Sequence, residues 1–267
     1  MKRVVLIFLL EAIVLTFAAC VGPVDQPLQD SPPATPTQAI VSTPTATIVW
    51  FPPSETPTAQ PVVTKQPTPE RKPGIGDLLL TDDFSAARFW NPAVADEASI
   101  NVSNNRMTIA VQPGVYAFRV RQGPMFTNFY AELTALPSLC RDADEYGLLF
   151  RSPNNVAYYS FALSCNGTAR AERVRLGKPT PLQDPVPSAD VPPGPGGEVR
   201  LGVWVSGTLM RFFLNGRYQF SVVDPTYKSG AVGVFAHAMG GTPVTVLFSD
   251  LSVHAVNYSP PSGTPTP

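Results

Sequence analysis

"EYGLLFRSPNNVAYYSFALSCNG", residues 145–167, holds two runs of alternating side chains around Pro153-Asn154-Asn155. Alternation of this kind has the period of a strand, in which successive side chains point to opposite faces. In the first run Tyr146, Leu148 and Phe150 share one face, and Gly147, Leu149 and Arg151 share the other. In the second, Tyr159, Phe161 and Leu163 stand against Tyr158, Ser160 and Ala162. The bulkier sets are the natural core faces. Arg151 and Tyr158 are thereby expected to point away from the core on adjacent strands of a hairpin.

The same period recurs on both sides of this hairpin. "RMTIAVQ" (106–112) and "VYAFRVR" (115–121) flank a Pro-Gly turn, followed by "NFYAELTAL" (128–136). "TARAERVR" (168–175) comes after the hairpin, and a Pro-rich insertion occupies 178–197. Further runs cover 198–207, 209–220, 231–239 and 244–256. Gly, Pro, Asn and Asp bound them, and no long stretch has a helical period. The pattern predicts an all-β fold, a two-sheet antiparallel β-sandwich of the jelly-roll kind. About 180 residues are enough for one substantial core.

Strand parity supplies candidate ligand contacts. "VYAFRVR" is expected to bury Tyr116, Phe118 and Val120 and to turn Arg119 and Arg121 outward. Leu201, Val203 and Val205 share a face, so Trp204 points the other way; Met210, Phe212 and Leu214 go inward, leaving Phe213 outward with Arg211. Aromatic rings beside guanidinium groups suit a sugar, because the ring stacks on C–H faces while the fork binds hydroxyls. Arg119, Arg151, Tyr158, Trp204 and Phe213 are therefore the expected ligand-binding residues. The competing reading is structural: Trp204 and Phe213 covered by the Pro-rich insertion or by the apolar run "TIVWFPP" (47–53), Arg151 paired with a carboxylate, and Tyr158 an ordinary strand tyrosine.

The N-terminus carries an address. Met1-Lys2-Arg3 precedes the apolar run 4–19, which ends on Ala18-Ala19-Cys20. That is the layout of a secretory signal, and the run is short for a spanning helix. Small residues before a cysteine resemble a bacterial lipobox, which makes Cys20 the lipidated first residue of the mature chain. Ordinary cleavage and an uncleaved helix are the alternatives. The expected location is the extracellular face of a bacterial membrane, with the membrane as a partner through the lipid. If Cys20 carries lipid, Cys140 and Cys165 remain as an even pair in an exported chain, where a disulfide is expected.

The organisation expected from composition is a signal over 1–20, a disordered Pro/Thr-rich linker over 21–76, the sandwich over 77–257 and a disordered tail over 258–267. Too little apolar surface is available in the linker to offset its ordering entropy. At about 3.1 Å per residue it could reach on the order of 100 Å. The formal net charge is −1 with 15% charged residues, and no basic stripe exists for nucleic acid. "RAERVR" (170–175) mixes signs and reads as a solvated strand face.

"LTDDFSAARFW", "EYGLLFR", "AYYSFALSCNG", "RLGVWVSGTLMRFFLNG", "GAVGVFAHAM" and "VLFSDLSV" follow one another in a familiar order. Together, over residues 77–256, they resemble the concanavalin A-like lectin/glucanase superfamily. They look closest to the branch of bacterial surface lipoproteins and 3-keto-disaccharide hydrolase-like domains. The resemblance implies a jelly roll whose concave sheet receives carbohydrate. It carries over no catalytic residue, because none of Glu97, Glu132, Glu145, Glu172 and Glu198 begins the Glu-x-Asp-x-x-Glu motif of the glucanases.

Other chemistry is thinly represented. Asp142 and Asp144 have the i, i+2 spacing of carboxylates on one strand face, with Glu145 beside them. They read as a solvated turn first, a calcium loop second and a catalytic pair third. Asp82-Asp83 and Asp250 would also suit a structural calcium if the first and last strands are neighbours. No other cofactor is indicated. His237 and His254 stand alone, without zinc or nucleophile motifs. The sequence thus points to a non-catalytic glycan-binding surface protein. A glycoside hydrolase-like enzyme of the keto-disaccharide type and a purely structural surface module are the alternatives.

Overall fold

The computed structural model describes residues 70–258. The signal, Cys20, the apolar run 47–53, the linker up to residue 69 and the tail from 259 lie outside the described residues.

In chain order the strands are β1 (Ile75–Asp82), β2 (Ala93–Val94), β3 (Ala98–Ser103), β4 (Arg106–Val111) and β5 (Tyr116–Val120). Next come β6 (Phe129–Leu139), β7 (Glu145–Asn154), β8 (Ala157–Ser164), β9 (Thr168–Arg175) and β10 (Lys178–Pro187). The last are β11 (Val199–Ser206), β12 (Leu209–Leu214), β13 (Arg217–Val223), β14 (Ala231–His237) and β15 (Val244–Val256). They form two antiparallel sheets. The back sheet has the order β13-β12-β11-β6-β15-β4-β3-β2, with β1 also paired to β15. The front sheet has the order β10-β9-β8-β7-β14-β5. β15 serves two neighbours on one edge, β4 along its first half and β1 along its second, while β6 follows its other edge. The change falls near Ser249-Asp250, where the register slips and Asp250 takes φ 55°.

The core between the sheets is filled by the bulky parities. Tyr146, Leu148, Phe150, Tyr159, Phe161 and Leu163 of the front sheet meet Leu201, Val203, Val205, Met210, Phe212 and Leu214 of the back sheet in one cluster. The Phe212 ring lies 4.9 Å from Phe161 and 6.1 Å from Phe150, centroid to centroid, which locks the two sheets together. Cys140 and Cys165 form the expected disulfide, with Cα atoms 6.0 Å apart. It ties the loop after β6 to the turn between β8 and β9.

Three local expectations need correction. First, β5 has the opposite parity. Ala117 enters the core, whereas Tyr116 and Phe118 face outward beside Phe235 and His237. The outer face of the front sheet carries Phe235 and Tyr158 on this side, so large side chains on the edge strand pack there. Arg121 turns inward and is buried in an ion pair with Asp82. Second, the first half of the Pro-rich insertion is a strand. β10 pairs with β9 at the sheet edge, with two register slips. An edge tolerates proline because the missing N–H can face solvent. Third, 209–220 is a hairpin and not one strand. Asn215 and Gly216 take φ 51° and 78° between β12 and β13, the positive pair that a tight Asn-Gly hairpin requires.

Candidate functional site

The outer face of the front sheet is a cleft of about 730 Å³. Register places its side chains in cross-strand rows. Tyr116, His237 and Glu145 are successive neighbours across β5, β14 and β7. Phe118, Phe235, Gly147, Ala162 and Arg170 form the next row, and Leu149, Ser160 and Glu172 the one after. One side of the face is therefore aromatic and the other charged, with small residues between. Gly147 is required there: a Cβ would stand 2.0 Å from the Phe161 carbonyl oxygen and 3.0 Å from the Phe235 ring.

The aromatic wall is continuous. The Tyr116 ring stacks on Phe235 at 5.4 Å and meets His237 edge-on at 5.3 Å. Phe118 lies 5.6 Å from Tyr158, whose hydroxyl donates to that of Tyr116 at 3.2 Å. Burial pushes both phenols up, so each stays protonated. Tyr116 is the rim residue, 37% exposed.

The charged wall is a carboxylate–guanidinium–carboxylate bridge. Arg170 donates through Nε and Nη2 to the two oxygens of Glu145, at 2.8 and 2.7 Å, and through Nη1 to Glu172 Oε1. Both glutamates are largely buried, with 8% of each side chain exposed. Burial raises the Glu172 carboxyl; Arg170 pulls it down and Glu145 pushes it up again. His237 is held below the usual imidazole range, first by burial. On the floor, Ser160 Oγ is buried and has no hydrogen-bond partner among the described residues.

Only Tyr158 of the five expected ligand contacts lines this cleft. Arg119 lines an adjoining cleft of about 790 Å³ at the free edge of β5. Its guanidinium donates to the carbonyls of Asn91 and Phe118. Arg151 is 1% exposed, at φ 47°, and donates to the carbonyls of Thr127 and Tyr227; it holds a bulge. Trp204 and Phe213 point away from the core as expected, but from the back sheet. They cannot share a face with Tyr158. Nor are they open, because residues 71–73 and Tyr258 cover them. Trp204 Nε1 donates to the Pro73 carbonyl at 3.0 Å, and Tyr258 meets the indole edge-on at 5.5 Å. Lys72 Nζ sits 5.1 Å from the centre of the Phe213 ring and 4.9 Å from that of Tyr130. Alternation assigns a side chain to a face of its own sheet. It does not say which sheet that is, or what lies on top.

This strap makes a stability prediction. A fragment of residues 75–257, which keeps β1 whole, uncovers aromatic surface that the fragment 70–258 keeps buried. Uncovering one large apolar side chain costs about 2 kcal/mol, a fall in melting temperature of roughly 4–8 °C for a domain of this size. Calorimetry of the two fragments checks it; equal melting temperatures would show the strap to be idle.

The acidic clusters organise loops. Asp144 is buried and accepts from the backbone N–H groups of Arg141, Met239 and Gly240. Asp82 lies across from Leu251, so the first and last strands are neighbours, but its oxygens accept from Phe84, Trp90 and Arg121. Glu145, Arg170 and Glu172 do not stand out in the sequence as a site: Arg170 and Glu172 have the i, i+2 spacing of one strand face, but with opposite charges and far from Glu145. "RAERVR" contributes these two residues to a cleft wall and not to a solvated face.

No family model matches the chain, and no curated protein matches it. Solved structures do. The carbohydrate binding module CBM66 from Bacillus subtilis superposes with TM-score 0.53 at 12% identity, over 62% of this chain and 96% of that one. A Bacillus subtilis protein of unknown function with a galectin-like fold gives 0.51 at 15%, over 69% and 99%. A structure associated with endo-acting O-glycanases of the human gut microbiota gives 0.51 at 9%, over 68% and 100%. At such identities the likeness is one of fold. The chain has a two-sheet antiparallel β-sandwich of galectin-like fold, the kind of fold that the sequence resemblance implied.

Proposed function

We propose that this sandwich is a non-catalytic carbohydrate-binding module, carried on the outer face of a bacterial membrane by lipid on Cys20. The observation that carries the binding reading is the front-sheet cleft itself: an aromatic wall facing the Glu145–Arg170–Glu172 bridge. That arrangement offers rings for C–H faces and charge-assisted partners for hydroxyls. CBM66, a carbohydrate-binding module, has the same fold.

Hydrolysis is less well supported. Two-carboxylate glycosidases need one carboxyl to deliver a proton and the other free to attack or to activate water. Both oxygens of Glu145 accept from Arg170. The anchor rests on the first twenty residues of sequence.

A glycan array probed with the full chain tests the binding reading, followed by titration of the best ligand. Module affinities of order 0.1–1 mM correspond to about −4 to −5.5 kcal/mol. One stacked ring contributing about 1.5 kcal/mol makes Tyr116→Ala about tenfold weaker. Unchanged affinity would remove the aromatic wall from the site. For the anchor, Cys20→Ser is expected to release the protein from membranes or leave it as unprocessed precursor. A mature wild-type N-terminus found elsewhere, without lipid, would refute it.

A further inference from the structure

The polar side of the cleft has an imbalance of hydrogen-bonding capacity and of charge. Burial holds the Glu172 carboxyl up, yet two acidic groups still share one guanidinium, an excess of acid over base. His237 does not offset it, because burial and the neighbouring Arg170 keep the imidazole neutral against the pull of Glu145 and Asp144. Three of the five Arg170 donor hydrogens are already committed to the glutamates. Glu172 Oε2 accepts no hydrogen bond among the described residues. Ser160 is 2% exposed, sits directly across from Glu172 in the β8–β9 register, and its hydroxyl is unpartnered. A buried hydroxyl without a partner is costly, and this one lines the cleft.

The open groups are thus mixed: two Arg170 hydrogens call for acceptors, Glu172 Oε2 calls for a donor, and the Ser160 hydroxyl can pair either way. A carboxylate, sulfate or phosphate ester would bring acceptors only. It would set negative charge against negative charge in a partly desolvated site, where repulsion is strong. Sugar hydroxyls both donate and accept, which suits a carboxylate oxygen beside a serine.

We infer that the cleft selects sugars whose bound edge carries hydroxyls and no anionic group, with neighbouring hydroxyls bridging Glu172 and Ser160. The inference rests on the carbohydrate-binding reading above and narrows its substrate class.

The test uses the full chain on an array that pairs uncharged oligosaccharides with counterparts bearing uronate, sialic acid, sulfate or phosphate. Retained ligands are expected to be uncharged at the bound end. For the best of them, Glu172→Gln is expected to weaken binding about fivefold, the worth of one net hydrogen bond. The same variant should narrow the gap to that ligand's C6-carboxylate form. Ser160→Ala, the smaller change, is expected to weaken binding by a similar factor and serves if Glu172→Gln folds poorly. Wild-type retention of anionic glycans as strongly as uncharged ones would overturn the selectivity and leave carbohydrate binding standing. Retention of no sugar of either kind would remove the carbohydrate reading, and this inference with it.

Discussion

Replacing Arg170 with alanine is expected to abolish glycan binding and to cost about 3 kcal/mol of stability. The change leaves Glu145 and Glu172 facing each other, largely buried, with the guanidinium between them gone. Breaking a buried pair by removing one partner costs about 3–5 kcal/mol. The low end applies because 24% of the Arg170 side chain is exposed. Two like charges in one site raise a carboxyl pKa. In the variant the folded-state value therefore lies further above the unfolded value of about 4.3. A raised folded pKa contributes stability below the unfolded pKa that is lost as pH rises through the folded one. The deficit of the variant is thus full near neutral pH and shrinks toward pH 4–5. Urea unfolding of wild type and variant at two pH values checks both the size and the sign. A deficit that does not change with pH would mean that the bridge is not electrostatic in origin.

The second large effect concerns the disulfide. Cys140 and Cys165 are 25 residues apart in sequence, a loop whose closure is worth roughly 3 kcal/mol in the chain-entropy model. The Cys140→Ser/Cys165→Ser double variant should melt roughly 6–12 °C lower. Binding should weaken as well. The Cys165 N–H donates to the Asp144 carbonyl, and Ser164 pairs with Glu145, so the bridge fixes the end of the hairpin that carries the acidic wall. An unchanged melting temperature in the non-reduced protein would count against a stabilising role.

How much of this was legible depends on how local the signal is. The β7–β8 hairpin could be read from alternation alone, because both strands lie in the middle of a sheet and send one bulky parity into the core. The same rule failed on β5. That strand lies at an edge, next to the aromatic side of the outer face, so its large residues face the cleft and Ala117 the core. Arg151 was misread because a bulge breaks the alternation at that residue. The cleft was not legible as a constellation. Tyr116, Glu145 and Arg170 are far apart in sequence, and they come together only through the strand order β5, β14, β7, β8, β9. The i, i+2 pair Arg170–Glu172 was the one local trace of it.

Residues 71–73 and Tyr258 both rest on the back sheet, on the far side of the sandwich from the cleft. At both ends of the described residues the chain thus lies along one wall, the one opposite the cleft. Neither of these two segments lies over the cleft, so on the carbohydrate-binding reading neither would block a glycan longer than the cleft. On the same reading, one polymer strand could engage the clefts of several copies. Weak single contacts then add through effective concentration, and retention grows with valency without any new contact in the site.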